Sequence, residues 1–434
     1  MVVGYFGQWS VYDHFRVKDL VASGAAAQLD QINYAQGFVT GGRCSVADPN
    51  ADLNLVVNAQ DSVDGRPDSP ATTFHGNLHQ LALLKRLHPR LKLLISLEGR
   101  ASDFVADAQP AARQAFVASC VDIFLRGHLA ASPNVAPGTP DQPGLFDGID
   151  VDWEYPGPDN AGNFVALLTD LRRAMDAIRP GLRLTIAVGP SPRMYPGTDF
   201  AAISQLVDQV GIMNYDYSGP WSHTTGFLAP LYLDEARGGS VERSILSYKQ
   251  AGIPAAKLLM GLPFYGYGWK SVPRTDNGLF QPGEGIRGDR PYRFFQSLLA
   301  PQPAASRPPP GSAVEPPATT PPTLKPASTA VHAAEPPPVA ADLPVGATAA
   351  TSPAAQPFLL FRDPRSHAPW LFDGSTFWTY EDPTSIRYKA AFAVDQGIGG
   401  VMAWELSEDA TDAALVKAAR SGVDHPSLYL MPGR

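Results

Sequence analysis

Short, almost unbroken apolar runs alternate along this chain with longer stretches of helical periodicity. The runs lie at Val2–Trp9, Gln31–Val39, Leu91–Leu97, Gly144–Glu154, Arg183–Val188, Asp208–Tyr215, Lys257–Tyr265 and Gly397–Glu405. They have strand length and little apolar–polar alternation, the pattern of a parallel sheet buried on both faces. Between them, Asn77–His88, Ala111–Leu129, Ala161–Ile178, Ser240–Ala251 and Thr384–Gln396 read as helices. Eight strands with helical crossovers predict an α/β fold, a (β/α)8 TIM barrel, over an open doubly wound sheet. Barrels of this kind place their chemistry at the carboxyl ends of the strands, so polar and aromatic residues there are the candidates.

Composition modifies this picture in one place. Of 43 prolines in 434 residues, sixteen fall between Pro301 and Pro357 amid Ala, Ser and Thr. Such a stretch has too few large apolar residues to offset chain entropy and is expected to be disordered or polyproline-like. It lies between the seventh and eighth strand runs. One catalytic domain is therefore predicted over residues 1–434, built from segments 1–300 and 358–434, with 301–357 as a disordered Pro/Ala-rich insertion. Pro308–Pro310 and Pro336–Pro338 resemble short polyproline ligands, but the composition favours a solvated spacer.

Acidic residues number 42 against 34 basic ones, a formal charge of −8. That balance offers no footing for nucleic acid or an anionic membrane surface. No apolar run approaches the ~20 residues of a membrane helix. Cys44 and Cys120 form either one bridge or two buried thiols. The nine histidines are scattered without metal-ligand spacing, so no metal and no cofactor are expected. Met1-Val2-Val3-Gly4 enters strand-like sequence without a charged and apolar leader. A monomer is the default expectation.

The sharpest chemical signal is the fourth strand run, Phe146-Asp147-Gly148-Ile149-Asp150-Val151-Asp152-Trp153-Glu154. Residues two apart on a strand share a face. Asp150, Asp152 and Glu154 then project together into the barrel, while Ile149, Val151 and Trp153 face the helices. Three neighbouring carboxylates cannot all ionise at ordinary pKa values, so at least one proton is retained near neutral pH. A general acid with a raised pKa suits glycosidic cleavage. The same spacing is compatible with a Mg²⁺ or Ca²⁺ site, or with pairing to buried arginines.

Asp147 to Glu154 resembles the complete DGxDxDxE motif of glycoside hydrolase family 18, the chitinases. Further segments agree in order: Gly4-Tyr5-Phe6 with Trp9, Met213-Asn214-Tyr215-Asp216, Gly261-Leu262-Pro263-Phe264-Tyr265-Gly266, Tyr380-Glu381-Asp382-Pro383, and Gly399-Gly400-Val401-Met402-Ala403-Trp404-Glu405. The resemblance covers nearly the whole chain outside the Pro-rich stretch. It is nearest to bacterial chitinases with a small insertion between strands seven and eight.

The resemblance implies a retaining mechanism in which the substrate's own N-acetyl group is the nucleophile. Glu154 would protonate the leaving oxygen, Asp152 would orient the acetamido N–H, and Asp150 would share its proton. Tyr215 would hold the acetamido oxygen. Among substrate-binding residues, Asp216 would fix the sugar, and Met213 and Trp404 would line the base of the −1 pocket. Tyr5 would lie beneath the acids, Ser96 would bond Asp150, Trp221 would serve the leaving-group side, and Asp147 would play a supporting role. Trp9, Trp269, Trp370 and Trp378 could stack sugars or simply pack.

Three positions depart from the family pattern. Relatives usually end the third strand Ser-x-Gly-Gly, often followed by an aromatic, but here it reads Ser96-Leu97-Glu98-Gly99-Arg100. A positive φ at Glu98 would cost on the order of 1 kcal/mol, and an ion pair between Glu98 and Arg100 is one account of the change. Tyr267 stands where relatives often carry Arg. Altered distal subsites with intact chemistry are the expectation. The implied activity is endo-hydrolysis of chitin, with chitin or chito-oligosaccharide as partner and an extracellular location. The alternatives are a lectin binding such chains uncut, which the intact Glu154 opposes, and an endo-β-N-acetylglucosaminidase on glycoprotein glycans.

Overall fold

The computed structural model describes residues 1–69, 74–299 and 357–430. The disorder expected for 301–357 therefore concerns residues outside those described, apart from Pro357.

The strands in chain order are β1 (Val2–Gly7), β2 (Gln31–Thr40), β3 (Arg43–Val46), β4 (Lys92–Gly99), β5 (Gly148–Asp152), β6 (Arg183–Val188), β7 (Gln209–Ile212), β8 (Leu258–Pro263), β9 (Tyr265–Lys270), β10 (Glu284–Pro291), β11 (Leu359–Arg362), β12 (Pro369–Phe372), β13 (Phe377–Thr379) and β14 (Gly400–Trp404). Eight of them, β1, β2, β4, β5, β6, β7, β8 and β14, pair in parallel, and the β1–β2 pairing closes the ring. This is the predicted barrel. β3 adds only an antiparallel hairpin to β2.

The continuous apolarity of the strand runs has the anticipated cause. Their outward residues meet a helical layer and their inward ones meet each other. Trp153, just past β5, faces out and stacks on Phe104 at 5.4 Å, with Phe164 edge-on at 5.6 Å. At the amino end the lumen is closed by polar groups: Gln31 Nε2 donates to Asn33 and Gln209, and Arg183 donates to Gln31 at 2.7 Å. Helix starts carry sequence-readable caps. Asp382 caps the helix Pro383–Asp395, and Ser240 caps Val241–Gln250.

Two features fill in what the sequence left open. Between β8 and β14 the chain builds a five-stranded antiparallel sheet, β10-β9-β13-β12-β11. Its aromatic core contains Trp269, Trp370, Phe372 and Phe377, so Trp269 and Trp370 are packing residues, as is Trp378 against Phe294 and Phe295. Cys44 on β3 and Cys120 at the end of the helix Arg113–Cys120 form a buried disulfide.

Candidate active site

Strand alternation assembles the site at the carboxyl end of the barrel. Asp150 is buried on the inward face of β5, in register with Ser96 on β4 and Thr185 on β6. Three hydroxyls from three strands donate to its carboxylate: Tyr5 at 2.8 Å, Ser96 at 2.9 Å and Thr185 at 2.5 Å. Burial raises the Asp150 carboxyl above its ordinary range, and these donors partly offset that. Such a cradle fixes one carboxyl at the base of the group.

Asp152 and Glu154 follow upward and border a cavity of about 260 Å³. Asp152 is held well above the usual carboxylate range, first by burial and then by the carboxylates of Glu154, Glu98 and Asp150. Glu154 reaches solvent at the cavity mouth, yet protein surrounds it on most sides. The resulting desolvation raises its pKa, opposed by the nearby Tyr155 hydroxyl. None of these three acids has an arginine or lysine within ion-pair distance among the described residues, and none of those residues forms a cluster of three or more arranged to hold a metal. A shared proton is what remains to relieve the crowding.

Opposite the acids, the cavity wall carries Met213, Tyr215, Asp216 and Tyr265, with Met402 and Trp404 completing it. Trp404 tilts against Tyr5 at 5.4 Å and Trp9 at 6.2 Å and lines the cavity. Tyr265 donates to Asp216 at 2.7 Å, and Tyr267 is a second partner. Burial pushes the Asp216 carboxyl up to about 6. Trp221 is exposed and lies edge-on to Tyr267 at 5.2 Å, which places it beside the cavity.

Ten of the eleven residues singled out from the sequence thus come together. Asp147 does not. It precedes β5 at the amino end of the barrel, seven residues or about 23 Å of strand from Glu154. There it pairs with Lys85 at 2.8 Å, lies near Lys92 and Arg179, and accepts from the Leu93 N–H. The expected role in substrate binding is replaced by one in fastening β4 to β5. The Glu98–Arg100 ion pair, one of the two accounts open from the sequence, is absent among the described residues. Arg100 is exposed, and the Glu98 side chain faces the acids.

Sequence reasoning missed Thr185, Tyr155, Tyr265 and Asp289. Thr185 was detectable, since Arg183, Thr185 and Ala187 share the inward face of β6. Tyr265 lies within a quoted motif, two residues past the end of β8. Asp289 comes from β10 of the small sheet and lines the cavity only through the tertiary fold.

Comparison with known proteins agrees with this geometry. The glycosyl hydrolases family 18 model matches residues 1–409. Chitinase 63 of Streptomyces plicatus is 30% identical over 97% of this chain and 60% of its own length. Chitinase A1 of Niallia circulans is 28% identical over 94% of this chain and 56% of its own. The chain thus spans somewhat more than half the length of these curated relatives. Among solved structures, the catalytic domain of psychrophilic chitinase B from Arthrobacter TAD20 superposes with a TM-score of 0.76 at 26% identity, covering 97% of this chain and 94% of that one. A family 18 N-acetylglucosaminidase from Paenibacillus barengoltzii gives 0.67 at 26% identity, covering 97% and 99%.

Proposed function

The chain belongs to glycosyl hydrolase family 18, and on that premise we propose that it is an endo-acting chitinase cleaving β-1,4 bonds between N-acetylglucosamine units with retention. One arrangement carries the reading: an acid whose pKa burial raises at the mouth of an aromatic-floored cavity, two residues from a second carboxyl and four from a third anchored by three hydroxyls. In the first step Glu154 gives its proton to the glycosidic oxygen as the bond to C1 breaks. The acetamido oxygen of the −1 sugar, steered by Tyr215, forms the new bond to C1. Asp152 accepts the acetamido N–H and stabilises the oxazolinium cation, while Asp150 supports Asp152 from below. Water then attacks C1 from the vacated side and loses its proton to Glu154, giving the β-anomer. Trp404 offers a flat face to the −1 ring, Met213 and Asp216 shape that subsite, and Trp221 serves the leaving sugars. The Cys44–Cys120 disulfide supports an extracellular setting, where chitin is found.

The test is hydrolysis of a soluble N-acetylglucosamine pentamer with product lengths and anomers resolved. Internal cleavage to β-anomers is expected, with Glu154→Gln reducing kcat at least about 100-fold. Release of single sugars only would exclude the endo mode. Binding without cleavage by the wild type would exclude the enzyme.

A further inference from the structure

The third barrel strand ends in a glutamate that the catalytic scheme does not use. β4 and β5 pair in parallel in the register Ser96–Asp150 and Leu97–Val151. Glu98 lies two residues beyond Ser96 on the same face, which sets it beside Asp152. Its backbone is ordinary strand. β4 runs on to Gly99, Glu98 pairs with Phe38 of β2, and its φ is not positive. The strain considered from the sequence is absent, so the side chain takes this place without a local backbone penalty.

Two carboxyl oxygens in this corner, Glu98 Oε1 and Asp152 Oδ1, are buried and have no hydrogen-bond partner among the described residues. A bare buried acceptor is costly, and one proton placed between two such oxygens satisfies both. The charged groups facing Glu98 are all acids: Asp150, Asp152 and Glu154 from β5 and its exit, and Glu405 from the end of β14. Glu405 is already occupied by the Gly7 N–H at 3.0 Å and the Ser407 hydroxyl at 2.5 Å. Asp150 is held by its three hydroxyls. Asp152 is left as the acid with a free oxygen on the Glu98 side.

We propose that Glu98 is a positioning residue that shares a proton with Asp152 and, through Asp152, sets the charge seen by Glu154. With the proton on Glu98, Asp152 is free to act as the anion that receives the acetamido N–H. Burial and the neighbouring carboxylates push the Glu98 carboxyl up to about 8 and hold Asp152 well above its usual range, in keeping with a proton kept by the pair at neutral pH. The Glu154 charge is among the causes that hold Glu98 up, so Glu98 keeps its proton while Glu154 titrates. Its later loss leaves Asp152 without a donor and beside a second charge, a step that is absent when an amide stands at this position.

The kinetic arm of this proposal rests on the chitinase reading, and the spectroscopic arm does not. Glu98→Gln and Glu98→Ala, each checked for a native melt, are compared with wild type in two assays. In kcat/KM against pH on the N-acetylglucosamine pentamer, the wild-type alkaline limb should steepen from a slope of about one to about two above pH 8, where Glu98 ionises, while both variants keep the single slope. The kcat lost in Glu98→Ala should be partly restored in Glu98→Gln, whose amide still donates to Asp152. In infrared difference spectra between neutral and alkaline pH without substrate, Glu98→Gln should show one protonated carboxyl fewer than wild type. An alkaline limb of the same slope in wild type and Glu98→Gln, or an unchanged carboxyl band, overturns the proposal. A wild type that shows the band but cleaves no chito-oligomer retains the shared proton and refutes the chitinase reading instead.

Discussion

Replacing Lys389 with Met should destabilise the barrel by about 3–5 kcal/mol, the range for leaving one member of a buried ion pair alone. Lys389 sits on the helix Pro383–Asp395 with no solvent exposure, and its ammonium lies 2.5 Å from Glu381 Oε1, itself 1% exposed. The ammonium also donates to the Ala229 carbonyl. Burial is the first cause of both shifts, upward for Glu381 and downward for Lys389, so desolvation outweighs their attraction. The pair is thus held at a net cost, and removing both charges should recover most of the loss suffered by removing one. Spread over the roughly 2 cal/mol/K per residue of unfolding entropy, 4 kcal/mol lowers Tm by about 5 °C in a domain of this size. Lys389→Met, Glu381→Leu and Lys389→Met/Glu381→Leu would be compared by calorimetry. Activity should follow, because Leu228 and Ala229 pack against Tyr5, Tyr215 and Tyr265 of the site. A single variant costing under about 1 kcal/mol, or a double variant as unstable as the sum of its two single changes, would refute the reasoning.

Cys44→Ser/Cys120→Ser releases a link between residues 76 apart in sequence and should cost about 4 kcal/mol on the chain-entropy account, read from urea unfolding. Asp147→Asn should lower stability by about 1–3 kcal/mol through its lost partners while changing kcat/KM on the pentamer less than twofold; a collapse of activity would return Asp147 to the site. Burial pushes the Asp52 carboxyl from 3.8 up to about 8 in the folded state. The native protein therefore binds more protons between about pH 4 and pH 8, and stability falls as pH rises through that window. Asp52→Asn should flatten this decline by up to about 1.4 kcal/mol per pH unit, and an unchanged slope of unfolding free energy with pH would show that Asp52 titrates normally.

The barrel was legible because a parallel strand buried on both faces has to be apolar throughout, so each of the eight runs stands out by itself. The acid triad was legible for a related reason: period two is local, and Asp150, Asp152 and Glu154 need no partner strand to share a face. The same rule sends Trp153 outward to Phe104. Asp147 shows where adjacency misleads, since residues contiguous in a motif separate by about 3.3 Å each along an extended chain, enough to span the barrel from end to end. The small sheet was not legible because its strands are short and come from two stretches with the Pro-rich insertion between them. Strand pairing across such a gap is fixed by contacts, not by local pattern. Cysteine count could not decide whether Cys44 and Cys120 meet, since a bridge depends on where β3 and the helix Arg113–Cys120 are packed. Residue type alone likewise left Glu98 open between an ion pair with Arg100 and a place in the cleft. Only the register of β4 beside β5 puts it next to Asp152, where the absence of a cation among the described residues makes its proton matter.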